Sequence, residues 1–461
     1  WTNGNVTITA SGSDSGGSGF YRIKKPDGTY ATGTSTTYTV SSNGTYSFVF
    51  YDNAGNSTTK SITISNIDKT KPSASFAPNS SIWVNWDINT VITPSDSGGS
   101  GVKRMRWRTS ADNGSTYGSW SSWINGSAAY TLPITTEGYY KVQVEVEDNV
   151  GNTQIVTSGT FLLDKTAPTG SLSPNTTAWT NQNVTITATG SDALSGMYQI
   201  KKPDELYAEG SSTTYAVSSN GTYAFVFYDN AGNSTEKSIT VSNIDKTAPT
   251  GSVTADTTEL TNGNVVLTAI GSDSGGSGFY RIKKPDGTYT NDTHATYTVT
   301  ENGNYTFVFY DNAGNATEKT YTVNNIDKTP PDGTLTPSTT AWTNQNVVIT
   351  VKGNDIGVAG LSHIKLPDGT IVYDAETAYT VTTNGTYTFV FYDRAGNSTT
   401  KSIKIENIDK ELPDGAFSPN SHAWTNKDVV VRFTPSDKGD SGVYRWRYRI
   451  SSDNGSSYGS W

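Results

Sequence analysis

Between residues 43 and 56 the chain reads Asn43-Gly44-Thr45-Tyr46-Ser47-Phe48-Val49-Phe50-Tyr51-Asp52-Asn53-Ala54-Gly55-Asn56. Tyr46, Phe48 and Phe50 fall on every second position, the period of a strand with one buried face. Asn43-Gly44 before them and Asp52 to Asn56 after them are turn chemistry. Working outward, Val6, Ile8 and Ala10 alternate with Thr7 and Thr9, and a Gly/Ser/Asp loop from Ser13 to Gly19 leads into Phe20 to Lys24. Pro26-Asp27-Gly28 turns into Tyr30, Tyr38 and Val40 precede the quoted segment, and Ile62 and Ile64 follow it. About seven short strands fit into about 80 residues, and no segment keeps a 3.6-residue period.

The pattern repeats, and a repeat decides architecture. Trp1-Thr2-Asn3 recurs as Trp83-Val84-Asn85, Trp179-Thr180-Asn181, Leu260-Thr261-Asn262, Trp342-Thr343-Asn344 and Trp424-Thr425-Asn426, at spacings of 82, 96, 81, 82 and 82 residues. The repeats starting near 83 and 424 carry a Ser-x-Asp-Asn-Gly-Ser hairpin instead of Ile-Lys-Lys-Pro-Asp and lie 341 residues apart, which suggests a four-module super-repeat. Ile-Asp-Lys-Thr-x-Pro segments (Asn66 to Pro72, Asn243 to Pro249, Asn325 to Pro331) mark short, stiff linkers where proline stops the ladder.

Composition narrows the function. The chain has 461 residues, too many for one core. With 33% hydrophobic residues but 27 Tyr, 14 Phe and 11 Trp, its cores must be thin and aromatic. A net charge of -9 disfavours a nucleic-acid partner and favours cations. The absence of cysteine removes disulfides, thiolate metal sites and cysteine nucleophiles, and no apolar run reaches the roughly 18 to 20 residues of a membrane span. The opening at Trp1, in mid-pattern, reads as a window on something longer.

The Asn43 to Phe48 segment resembles the tyrosine corner of immunoglobulin folds, with Phe48 where antibody domains place cysteine. Together with Tyr51-Asp52-Asn53-Ala54-Gly55-Asn56 and Ile244-Asp245-Lys246-Thr247-Ala248-Pro249-Thr250, the chain is similar to the tandem bacterial immunoglobulin-like repeats of large adhesins, surface-layer and cell-wall-associated proteins. The resemblance implies an all-β fold of tandem Ig-like β-sandwich modules in an extended array. The expected divisions are 1–68, 69–164 (long), 165–245, 246–327, 328–409 and 410–461 (long, truncated).

If the modules are Ig-like, the loops after the second and sixth strands share a pole with the incoming linker. Each carries an aspartate. The expected groups are Asp68, Asp96 and Asp148; Asp164, Asp192 and Asp229; Asp245, Asp273 and Asp311; Asp327, Asp355 and Asp393; and Asp409 with Asp437. Clustered carboxylates repel unless neutralised, and Ca²⁺, which takes six to eight oxygen ligands, would do this; the resemblance implies calcium at such junctions. The alternative reading keeps each Asp as a turn cap, with the linker lysines Lys69, Lys165, Lys246, Lys328 and Lys410 offsetting the charge.

Other features point elsewhere. Arg104, Arg106 and Arg108 alternate along one strand, as do Arg445, Arg447 and Arg449, and Trp120 and Trp123 follow the first set. The ladder is a candidate face for acidic glycans or a neighbouring chain, set against a plain solvated face. Ser110 to Tyr117 is similar to the Asp-box of sialidases, which implies a stable turn rather than catalysis. His294, His363 and His422 occupy separate repeats and form no triad or metal cluster. Lys24 and Lys25 abut a turn, which disfavours isopeptide crosslinking, and triplets such as Asn5-Val6-Thr7 arise from composition. The expected function is a bacterial extracellular structural or adhesive stalk or surface filament, without enzymatic activity, whose partners are other copies of itself or cell-surface components. The alternative is a carbohydrate-binding accessory array that reads acidic glycans.

Overall fold

The computed structural model describes residues 1–418 and 423–461, so His422 lies outside it. Regular structure among the described residues is all β. By contacts the chain forms two units, residues 1–177 with 183–244, and residues 178–182 with 245–461.

In the first unit, Thr169–Pro174, Val184–Ser191 and Ser212–Val217 form a three-stranded antiparallel sheet. Tyr207–Glu209, Met197–Lys201, Gly221–Asp229 and Ser234–Val241 form a four-stranded one. Counted along the chain, strands one, two and five face strands four, three, six and seven. The fourth joins the third because a tight turn returns it there, Lys202 N–H donating to Leu206 O at 2.8 Å. Upstream, Val6–Ser11 pairs with Ser35–Val40, opposite Tyr30–Thr32, Phe20–Lys24, Gly44–Asp52 and Ser57–Ile64. The long repeat sets Tyr130–Ile134, Ile88–Ser95 and Ser73–Ala77 against a sheet centred on Val102–Ser110 and Gly138–Asp148. Its short Trp83–Val84 strand runs parallel to Phe161–Leu163.

The second unit repeats the plan with Thr250–Ala255, Val265–Ser272 and His294–Val299 opposite Tyr289–Thr290, Phe279–Lys283, Gly303–Asp311 and Ala316–Val323. Asp332–Pro337, Val347–Asn354 and Glu376–Val381 then lie opposite Ile371–Val372, Leu361–Lys365, Gly385–Asp393 and Ser398–Ile405. Asp414–Ser418 and Arg432–Ser436 form a final pair. Residues 443–450, expected as an arginine-bearing strand, have no ladder partner among the described residues.

The cores are separate and small. The one around Phe307 and Phe309 has ten buried members, with Val265, Leu267 and Ala269 meeting Ile282 and Val323 across the sandwich. Phe279 and Ile282 both pack there although they are three residues apart, a spacing that an unbroken strand would send to opposite faces. A bulge between Phe279 and Arg281 corrects the parity by inserting Tyr280 as an extra residue. The same shift occurs at Phe20/Arg22, Met197/Gln199 and Leu361/His363. Phe309 also requires bare backbone beneath it, since a Cβ on Gly251 would stand 2.3 Å from its ring.

Polar closures seal the ends. Tyr46 donates its hydroxyl to Ser42 O at 2.6 Å, and Tyr223, Tyr305 and Tyr387 donate likewise to Ser219, Glu301 and Thr383, the expected tyrosine corner. Beside it, Asn302 Nδ2 donates to Ile326 O at 2.7 Å while Ile326 N–H donates to Asn302 Oδ1 at 2.9 Å. Asn43, Asn220 and Asn384 hold Ile67, Ile244 and Ile408 in the same two-point grip. Because Ile326 is buried, Asn302→Ala strands two backbone groups at a cost of about 1–3 kcal/mol. Scanning calorimetry should then show one transition of the array lowered by roughly 5–15 °C and the others unmoved.

Candidate metal centre

Each linker aspartate is tied by its side chain to its own segment and to the loop that follows. Asp68 is 1% exposed; its Oδ1 accepts from Thr70 N–H at 3.0 Å within the linker, and its Oδ2 from Ser100 N–H at 2.9 Å in the next loop. Asp164 does the same with Thr166 and Ser195, Asp245 with Thr247 and Ser277, and Asp327 with Thr329 and Ala359. Glycine permits the approach, because a Cβ on Gly98 would lie 1.9 Å from Asp68 Oδ1.

The loop aspartates converge on the same point. Asp96 accepts from Gly98 and Gly101 N–H, whereas Asp148 accepts from Val150 and Asn152 N–H and from the Asn152 amide. Asn152 also donates to Asp68 O at 3.1 Å, so the sixth-strand turn grips the linker. Asn233, Asn315 and Asn397 make the matching contacts to Asp164, Asp245 and Asp327. In four places the three carboxylates each offer an oxygen within 4.8 Å of the others: Asp68, Asp96 and Asp148; Asp164, Asp192 and Asp229; Asp245, Asp273 and Asp311; Asp327, Asp355 and Asp393. Asp409 meets Ser441 N–H beside Asp437, but no third carboxylate joins them among the described residues.

Two ionised carboxylates about 5 Å apart repel by roughly 3 kcal/mol at an effective dielectric constant of 20, so an ionised triad favours a counter-ion among its oxygens. A proton is a poor remedy. Burial pushes Asp68 upward, yet the hydrogen bonds from Ser100 and Thr70 outweigh it and hold the carboxyl below its ordinary value; Asp245 behaves alike with Ser277 and Thr247. Four of the linker lysines turn elsewhere: Lys69, Lys328 and Lys410 reach back to Asn5, Asn264 and Asn346, and Lys165 to Asp87. Two buried oxygens, Asp273 Oδ2 and Asp355 Oδ2, have no hydrogen-bond partner. Groups that offer only carboxylate oxygens this close together can take a hard cation.

The Trp-Thr-Asn segments, read above only as a repeat marker, turn out to dock the following repeat. Thr2 exchanges backbone hydrogen bonds with the linker (Thr2 N–H to Asn66 O, Asp68 N–H to Thr2 O). Trp1 lies over Gly99, Trp179 over Gly276, and the Asn3 and Asn181 amides against Gly151 and Gly314. Asn181 and Asn262 N–H donate to Ala313 and Ala395 O at 3.1 and 3.2 Å. Only a pattern tying each Trp to the next glycine-rich loop could have revealed this in sequence.

The arginine ladder is already occupied. Arg104 pairs with Glu147 at 2.6 Å, Arg106 with Glu145, and Arg108 donates to Gln143. Trp123, Trp120 and Tyr117 interleave on their other side, at 4.2 Å for Arg104 over Trp123. Arg447 and Arg449 stack with Trp461 and Tyr458, while Arg445 is exposed. In the Asp-box hairpin, Asp112 accepts from the Ser110 hydroxyl and from Thr116 N–H and Oγ1, which makes it a turn clamp.

No protein-family model and no curated protein sequence matches the chain. Solved structures similar to it include a tetra-tandem repeat from the extending region of a large adhesion protein, 17% identical, covering 74% of this chain and all of that one with a TM-score of 0.31. Fibronectin(III)-like modules of Clostridium thermocellum CbhA are 20% identical, covering 37% and 92% with a TM-score of 0.22. A structure concerning host cell surface retention of a 1.5-MDa bacterial ice-binding adhesin is 12% identical, covering 56% and 98% with a TM-score of 0.28. Among the described residues no helix is long and apolar enough to cross a membrane.

Carboxyls that ionise more readily folded than unfolded stabilise the fold above their unfolded value, about 4, and lose that contribution as pH falls below it. In chelator, the transitions of the repeats holding Asp68 and Asp245 should therefore be level between pH 7 and 5 and drop below pH 4; constant melting down to pH 3 would contradict the assignment.

Proposed function

We propose that this chain is a structural or adhesive stalk segment of a bacterial extracellular protein, in which Ca²⁺ at the Asp triads fixes each Ig-like module to the next. The single observation that carries the reading is the recurrence, at four successive linkers, of a buried linker aspartate with two loop aspartates within 4.8 Å. A site built from three residues of an active centre would have no reason to recur at every joint. One built to order joints must. The triads supply carboxylate oxygens to an ion that prefers six to eight oxygens, and the two partnerless buried oxygens of Asp273 and Asp355 suit direct ligation. Under this reading the modules are 1–68, 69–164, 165–245, 246–327, 328–409 and 410–461, and the chain's work is to space or display rather than to catalyse. Its partners are other copies or components of a cell surface.

The test is thermal unfolding with excess calcium and with chelator, alongside calcium titration. At a hundred times the dissociation constant each occupied site adds about 2.7 kcal/mol, so calcium should raise the main transitions by roughly 10 °C or more. Asp273→Asn with Asp355→Asn should lower the titrated stoichiometry by two. No heat of binding and unchanged melting would leave the aspartates as turn caps and remove calcium from the account.

A further inference from the structure

The bulge in the third strand does more than correct parity. By adding a residue, it leaves Tyr21 and Arg22 together on the outer side of the four-stranded sheet in the first repeat. There the Arg22 guanidinium carbon stands 4.1 Å from the centre of the Tyr30 ring, 4.9 Å from Tyr21 and 5.4 Å from Tyr51. Arg281 in the fourth repeat is set in the same way, 4.2 Å from Tyr289, 4.8 Å from Tyr280 and 5.3 Å from Tyr310. Residues 12–30 and 271–289 are identical in sequence.

What distinguishes these arginines is their missing counter-charge. Arg104 and Arg106, stacked on the same strand of the long repeat, are each bound by a glutamate. Arg22 and Arg281 stand in no ion pair among the described residues, and Nε of each is buried without a hydrogen-bond partner. The tyrosines beside them remain open, Tyr21 and Tyr30 being 46% and 47% exposed and Tyr280 and Tyr289 40% and 47%. The third repeat carries Gln199 at this position, and its neighbouring Lys201 is neutralised by Glu205.

We propose that these two faces bind acidic sugars, with Arg22 and Arg281 taking a sugar carboxylate and the exposed tyrosines taking the apolar faces of the sugar rings. A guanidinium fork matches a carboxylate in two-point geometry, and tyrosine rings accept the C–H face of a pyranose. The chain's net charge of -9 repels a dense polyanion, so the ligand is a glycan whose carboxylates are separated by neutral sugars. None of these residues belongs to an Asp triad, so the inference stands or falls apart from the calcium reading.

The experiment titrates the whole chain with a hyaluronan decasaccharide, with a sialylated oligosaccharide, and with the same hyaluronan after reduction of its carboxyl groups. Binding to at least one acidic glycan is expected, at two sites per chain, with affinity falling at least tenfold when the carboxyls are reduced. The Arg22→Gln, Arg281→Gln double variant should also lose at least tenfold while melting as before, because Gln199 shows that the fold accepts glutamine there; Arg22→Gln alone should halve the stoichiometry. Tyr30→Ala with Tyr289→Ala should weaken binding even to the intact glycan. Absence of binding to both acidic glycans, equal binding of the reduced one, or full binding by the double arginine variant would overturn the proposal, as would variants that lose only self-association in sedimentation.

Discussion

A buried carboxylate on a linker has to satisfy its charge with whatever the two flanking sandwiches offer. Asp68 and its counterparts do so with one backbone N–H from their own segment and one from the loop beyond. With the Asp68 N–H bonded back to Thr2 O, the first linker is held by the repeats on both of its sides. The rest of the joint is arranged around it: glycine where a side chain would strike the carboxylate, an asparagine that grips the linker carbonyl, and two further aspartates whose own turns face the same point. Cores of about ten residues give each sandwich only modest stability. Polar closure at the ends therefore matters more than it would in a larger domain.

Much of the fold was legible because period-two alternation is a direct consequence of the pleat. Tyr46, Phe48 and Phe50 announced the central strand and Asn43-Gly44 the turn before it. The grouping of the aspartates was legible too, once the Ig-like resemblance supplied the strand order that says which loops share a pole. What escaped lies where one residue does two things. Phe20 and Ile23 look out of phase until a bulge is inserted between Phe20 and Arg22. Asn43 reads as a turn residue, and nothing local says that its amide also holds Ile67.

Charges were harder to read than cores. The linker lysines looked like counter-ions for the aspartates, yet a four-carbon side chain reaches either way, and it reaches back to Asn5, Asn264 and Asn346. The arginine ladder looked open because its partners, Glu145, Glu147 and Gln143, lie on a strand some 40 positions later and in perfect register with it. Cross-strand pairing of this kind becomes visible only when the register is known.

The docking contacts have a consequence for how such a chain can change over time. The joint after the first repeat is asymmetric: one sandwich contributes Trp1, Asn3 and Asp68, and the next contributes the loop from Asp96 to Gly101 and the turn from Asp148 to Asn152. The sequence of the third repeat carries both halves, Trp179-Thr180-Asn181 with Asp245 and the Asp192 loop with the Asp229 to Asn233 turn. A duplication or loss of whole units therefore regenerates a correct joint without any compensating substitution, and length becomes a quantity that recombination can adjust freely while the chemistry of each connection stays the same.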